Sequence, residues 1–93
     1  MTKYRLKPTT KFKKDVKKLI KRGYDLFLLN EVIRILTNGH DLPLKYCDHP
    51  LKGGRIGYRD CHILNDWVLI YKIEKNDLLL VLIETGAHAD IFG

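Results

Sequence analysis

The run Arg55-Ile56-Gly57-Tyr58-Arg59-Asp60-Cys61-His62-Ile63, the pair Asn65-Asp66, the run Trp67-Val68-Leu69-Ile70-Tyr71-Lys72-Ile73, the polar Glu74-Lys75-Asn76-Asp77 and the run Leu78-Leu79-Leu80-Val81-Leu82-Ile83-Glu84 decide the fold. Each run has strand length and carries β-branched, aromatic or leucine side chains, and each break is made of turn formers. Breaks this short join antiparallel neighbours and leave no room for a crossover. The stretch therefore predicts a three-stranded antiparallel meander. Period two puts Cys61 and Ile63 on one face of the first strand and His62 on the other. With the apolar pair packed inward, His62 faces the open side.

Upstream, Tyr4-Arg5-Leu6-Lys7 alternates and ends at Pro8, which predicts a short first strand. Thr9 or Thr10 then offers an N-cap, Phe12, Val16, Leu19 and Ile20 recur at helical spacing, and Gly23 ends the helix. Asp25 caps a second helix with a buried stripe of Leu29, Val32, Ile33 and Leu36, and Gly39 ends it. The short link predicts an antiparallel helical hairpin. Residues 40–54 are rich in turn formers and read as a loop, and the tail after Thr85 reads as a polar segment ending in Ile91-Phe92. The predicted order is β-α-α-β-β-β. This is an α+β domain over residues 1–93 in which the helical hairpin covers one face of a curved antiparallel sheet. The other face is left for a ligand.

Net charge is +6, and residues 1–22 hold ten of the 17 Lys and Arg against one acid, Asp15. Such a block suits nucleic acid, ribosome or another acidic partner, or else a solvated helix face. No run approaches the roughly 20 apolar residues of a membrane helix, and no apolar signal core follows the N-terminal charges. The expected setting is the cytoplasm, with no membrane partner. Cys47 and Cys61 form no CxxC pair or zinc spacing and are expected to be reduced. The histidines form no HxxxH or HxH pair, so no metal is expected.

The histidines carry the chemistry. His49, His62 and His88 lie in the dense strings Asp48-His49-Pro50-Leu51-Lys52-Gly53, Cys61-His62 ahead of Asp66-Trp67, and Thr85-Gly86-Ala87-His88 ahead of Phe92. Imidazole exchanges protons near neutral pH. RNA is cut without a metal when its 2′-hydroxyl attacks the adjacent phosphorus, given a base, an acid and a group that stabilises phosphate charge. Asp66 is a candidate to orient an imidazole. Lys52, Arg55 and Arg59 are candidates for the phosphate. Trp67, Tyr58 and Phe92 are candidates to stack on bases, with a core role the alternative for Trp67.

At these strings the sequence resembles the YafQ branch of the RelE/ParE toxin superfamily. The matching text is Lys11-Phe12-Lys13-Lys14-Asp15, Arg22-Gly23-Tyr24-Asp25, Asp48 to Gly53, Gly57-Tyr58-Arg59 with Cys61-His62-Ile63, Asp66-Trp67 with Leu69-Ile70-Tyr71-Lys72, and Thr85-Gly86 with His88 and Phe92. The resemblance implies a small microbial RNase fold and a ribosome-dependent mRNA endonuclease that cuts the codon in the ribosomal A site. It implies partners as well: the 70S ribosome with its rRNA and mRNA, a DinJ-like ribbon-helix-helix antitoxin, and operator DNA bound through the antitoxin complex. It places the essential residues on His49, His62, Asp66, Trp67, His88 and Phe92. His88 is expected to be the general acid; spacing leaves His49 and His62 both open as base.

The sequence departs from the family pattern at one position. The family usually carries arginine immediately before the Thr-Gly-x-His string, and here that residue is Glu84. A carboxylate repels a phosphodiester, so Arg55, Arg59 or Lys52 is expected to take over the phosphate. Two other functions share the scaffold: gyrase inhibition of the ParE kind, and RNA or ribosome binding without chemistry.

Overall fold

Thr9 and Asp25 begin the helices as their side chains predict. In the computed structural model, which describes residues 2–93, Thr9 is extended and its Oγ1 accepts the Phe12 N–H at 3.0 Å, opening α1 (Thr10–Lys21). Asp25 Oδ1 accepts the Phe27 N–H at 3.0 Å and opens α2 (Leu26–Thr37). Each cap satisfies an otherwise orphaned donor, worth about 1 kcal/mol. Gly23 and Gly39 follow the two helices with φ of +80°, the left-handed conformation that glycine adopts without strain.

Five strands form one sheet in the order β1-β5-β4-β3-β2: β1 (Arg5–Pro8), β2 (His49–Pro50), β3 (Arg59–Leu64), β4 (Trp67–Glu74) and β5 (Leu79–Ala87). A short helix, α3 (His88–Phe92), follows directly. β2 to β5 are antiparallel, as expected of the meander. β1 instead enters parallel to β5, with Arg5 opposite Leu79 and Pro8 opposite Leu82. The sheet is thus mixed, because α1 and α2 together form a crossover long enough for a parallel return. Pro8, which lacks an N–H, stands on the sheet edge where none is needed.

The helices cover one face. Phe12 and Leu19 of α1 and Leu29, Val32 and Leu36 of α2 pack against Cys61, Ile63, Trp67, Leu69, Tyr71, Leu80 and Leu82. Ile20, read as part of the buried stripe, is 56% exposed, and Asp15 is buried in its place. The cause is an edge: β5 runs past the end of β1, leaving the Thr85 N–H without a strand partner. Asp15 Oδ2 accepts that N–H at 3.1 Å, and its Oδ1 accepts from Lys11 Nζ at 2.5 Å.

Three boundaries differ from expectation. Arg55–Tyr58 are outside β3, because Gly53–Arg55 form a 3₁₀ turn and Gly57 has φ of +94°. The 40–54 loop contains a turn at Leu44–Tyr46 and all of β2. The third run continues through Thr85 and Gly86 to Ala87, and what looked like a polar tail is strand followed by helix. Backbone pairing with β4 offsets the weak strand character of those residues.

Candidate active site

Cross-strand register places the site. His49 is opposite Asp60, Asp60 opposite Ile70, and Ile70 opposite Glu84; in the next row His62 is opposite Val68 and Val68 opposite Gly86. Cys61, Trp67 and Leu69 point into the helix-covered core, so by alternation Asp60, His62 and Glu84 share the opposite face. Glu84 is there because of a bulge. The register shifts between Ile70 and Tyr71, which pair with Glu84 and Leu82, so Ile83 is the extra residue.

His88 opens α3 at the end of this face. Its backbone N–H donates to the Asp66 carbonyl at 2.6 Å, tying the β3–β4 turn to the helix start. The His88 ring centroid is 6.3 Å from that of His62 and 4.7 Å from that of Phe92. His49 Nε2 lies 3.5 Å from Asp60 Oδ2, His62 is two residues along the same strand face, and His88 is beside His62, so the three imidazoles are grouped on the face that bears Asp60.

Asp60 is a functional candidate that the sequence reading missed. It is 3% exposed, its Oδ1 has no hydrogen-bond partner, and its Oδ2 lies 3.5 Å from His49 Nε2. Burial pushes its pKa up, and the imidazoles of His49, His62 and His88 pull it back down. The signal was available: the period-two rule that turns His62 outward turns Asp60 outward too.

The hydrogen bonds assign protons. His49 Nδ1 lies 2.7 Å from the Cys47 carbonyl, which only accepts, so Nδ1–H is the donor and Nε2 faces Asp60. His62 Nδ1 lies 3.4 Å from the Asn65 carbonyl, which by the same argument leaves its Nε2 as the uncommitted nitrogen. Asp48 holds the chain just before His49. It accepts from Arg59 Nε and Nη2, both at 3.2 Å, and from the Tyr71 hydroxyl at 2.6 Å. Burial, followed by the bond to Asp48, pushes the Tyr71 phenol up, so it stays a donor.

Several expected roles change. Arg59 shares the core-facing parity of Cys61 and is paired with Asp48, so it is on the wrong side of the sheet to meet a phosphate beside the histidines. Trp67 is 3% exposed, stands edge-on to Tyr24 at 5.0 Å and donates its Nε1–H to Thr85 Oγ1 at 2.9 Å. It is an anchor of the core and has no face free for a base. Asp66 is exposed and meets His88 through its backbone carbonyl; Asp60 is the carboxylate that faces an imidazole. Lys52 is exposed in the turn before Arg55, and Phe92 is 38% exposed beside His88. Arg55 Nη2 donates to Glu84 Oε2 at 2.7 Å. Burial pushes the Cys61 thiol up, away from nucleophilic use. Among the described residues no group of three or more His, Cys, Asp or Glu has a metal-holding arrangement, and no helix is long and apolar enough to cross a membrane.

A strongly basic chain with three imidazoles around a buried carboxyl, on the open face of this helix-backed sheet, has counterparts among known proteins. The sequence model described as a bacterial toxin of type II toxin–antitoxin systems, YafQ, matches residues 4–93. The mRNA interferase toxin YafQ of Escherichia coli (strain K12) is 46% identical over 83 residues, 88% of either chain. The E. coli DinJ–YafQ toxin–antitoxin complex contains a chain that superimposes with a TM-score of 0.89 at 41% identity, covering 98% of this chain and 99% of that one. A metal-bound toxin from Helicobacter pylori superimposes with a TM-score of 0.90 at 41% identity, covering 99% and 100%. The chain belongs to the YafQ family of type II toxins.

Proposed function

We propose that this toxin is an endoribonuclease that cuts mRNA in the ribosomal A site by metal-free acid–base catalysis. The gathering of His49, His62 and His88 around Asp60 carries the reading. The 2′-oxygen attacks phosphorus as a base takes its proton. The P–O2′ bond forms, the P–O5′ bond breaks, and the leaving 5′-oxygen takes a proton from an acid, giving a 2′,3′-cyclic phosphate and a 5′-hydroxyl. His88, at the open end of the face beside Phe92, is the acid. His62 is the base, because its Nε2 is uncommitted while both His49 nitrogens face acceptors. His49, with its Nε2 3.5 Å from Asp60 Oδ2, turns its imidazole toward that carboxyl. Phe92 offers its exposed ring to the codon base.

The lysines of α1 supply a sequence-independent attraction for rRNA, weakened by salt. The partner is a DinJ-like ribbon-helix-helix antitoxin, in keeping with the E. coli complex, whose segment would cover residues 49–92; through it the complex meets operator DNA. The setting is the cytoplasm, where ribosomes are. Gyrase inhibition gives the histidine cluster no task.

Primer extension on mRNA bound to programmed 70S ribosomes tests the reading. Codon-aligned cuts are expected with ribosomes, and neither on free RNA nor with His88→Ala. Cuts by folded His88→Ala at the wild-type rate would remove the acid from the scheme.

A further inference from the structure

The face that bears the three histidines also holds a carboxylate that should repel RNA. Glu84 is in the same cross-sheet row as Asp60 and His49, separated from Asp60 only by Ile70. Adjacent strands are about 4.8 Å apart, so the Glu84 and Asp60 backbones are about 10 Å apart. Within that distance an unneutralised carboxylate opposes a phosphodiester seated by the histidines.

Glu84 is not left unneutralised. Its side chain is 16% exposed, Oε2 accepts from Arg55 Nη2 at 2.7 Å, and Oε1 lies 3.9 Å from Lys11 Nζ. Arg55 is held from a second side: its guanidinium carbon lies 5.8 Å from the centre of the Tyr58 ring. The Tyr58 N–H in turn donates to the Arg55 carbonyl at 3.1 Å, which closes the turn that carries the arginine. The Arg55 side chain stays 34% exposed. A guanidinium has five N–H donors in a rigid fork, and the bond to Glu84 uses one of them.

The geometry points to Arg55 as the group that binds the scissile phosphate, with Glu84 as the positioning residue that aims it; this rests on the nuclease reading above. Lys52, exposed in the turn before Arg55, carries a point charge without the arginine fork, and three other cations have different commitments. Arg59 is on the opposite face with Asp48, Lys11 with Asp15, and Lys72 lies 3.8 Å from Glu74. Arginine is suited to the task because its fork meets two non-bridging oxygens at once as charge gathers on them. Glu84, anchored in β5, converts an arginine on a glycine-rich turn into one with a defined direction.

Single-turnover cleavage on programmed 70S ribosomes, with oxygen or sulfur at a non-bridging position of the scissile phosphate, tests both parts. Arg55→Ala is expected to cut about 100-fold more slowly, the usual cost of one charge-stabilising donor. Sulfur substitution should slow the wild type and have much less effect on Arg55→Ala. Glu84→Gln is expected to lose about 10-fold, with the melting temperature and ribosome affinity preserved, since it keeps the shape and weakens only the charge-assisted bond. The double variant Glu84→Arg, Arg55→Ala, which delivers a guanidinium from β5 itself, should recover most of the rate. An unchanged rate or sulfur effect in folded Arg55→Ala would overturn the assignment of Arg55, and an unchanged rate in Glu84→Gln that of Glu84. If the wild type fails to cut, or His88→Ala cuts normally, the nuclease reading itself fails and takes this inference with it.

Discussion

Replacing Asp60 with asparagine should make the protein more stable at alkaline pH and less active. Asp60 Oδ1 is buried without a partner, and Oδ2 has only a long contact to His49. Leaving such an atom unsatisfied costs about 1–3 kcal/mol and more when it is charged; asparagine keeps the atom and removes the charge, a gain of at least about 1 kcal/mol. In a domain of this size, 1 kcal/mol moves the melting temperature by about 4–8 °C. The sign follows from linkage. The pKa of Asp60 is raised in the folded state, so its contribution is most favourable below the unfolded carboxyl value, about 4, and is lost as pH rises through the folded value. The penalty is therefore greatest above the folded value, where the buried carboxyl is ionised. Asp60→Asn should therefore melt at least about 4 °C higher than wild type at pH 8. The gap should shrink towards zero at pH 4, and cleavage should fall by about 10–100-fold. Circular-dichroism melts at pH 4, 6 and 8 measure the first part. A melting temperature below wild type at pH 8, or a gap independent of pH, would refute the reasoning.

Thr85→Val should cost about 1–3 kcal/mol, read from the urea midpoint, because it leaves the Trp67 Nε1–H in the core without its acceptor and removes the hydroxyl's bond to the Val68 carbonyl; a loss below about 0.5 kcal/mol would mean that water replaces the hydroxyl. Asp48→Ala removes the acceptor of Arg59 and Tyr71 just before His49, and should lower stability by about 2 kcal/mol and cleavage by more than about 10-fold with ribosome affinity retained. Loss of ribosome binding in that variant would point to a broader collapse of the loop. Toxin treated with a chelator and desalted before mixing with ribosomes should cut at the untreated rate, since the proposed scheme moves its protons with imidazoles; a rate restored only by added metal would defeat it.

The candidate site was legible where chemistry is rare and local. His49, His62 and His88 stood out because few residue types exchange protons near neutral pH, and alternation alone turned His62 away from Cys61 and Ile63. Asp60 has the same parity as His62 but was passed over, since a strand carboxylate is ordinary until its neighbours are known. Trp67 and Arg59 were offered to substrate because aromatic and cationic groups suit RNA, and nothing within their own strands reveals Thr85 or Asp48 as their partners.

Local sequence determined the types and order of the longer elements, capped amphipathic helices and then strands separated by turns too short for anything but antiparallel pairing, but not the two-residue β2 or the closing α3. It also determined the charge and the histidine inventory. Tertiary structure decided what depends on contacts between distant residues. The crossover through α1 and α2 made β1 parallel, and the unpaired end of β5 drew Asp15 into the interior. The bulge at Ile83 decided most for the site. Strict alternation from Leu80 and Leu82 would carry Glu84 inward, whereas one extra residue reverses the phase and sets Glu84 beside Arg55 on the histidine face. A bulge is a property of two paired strands, so neither strand's sequence alone contains it.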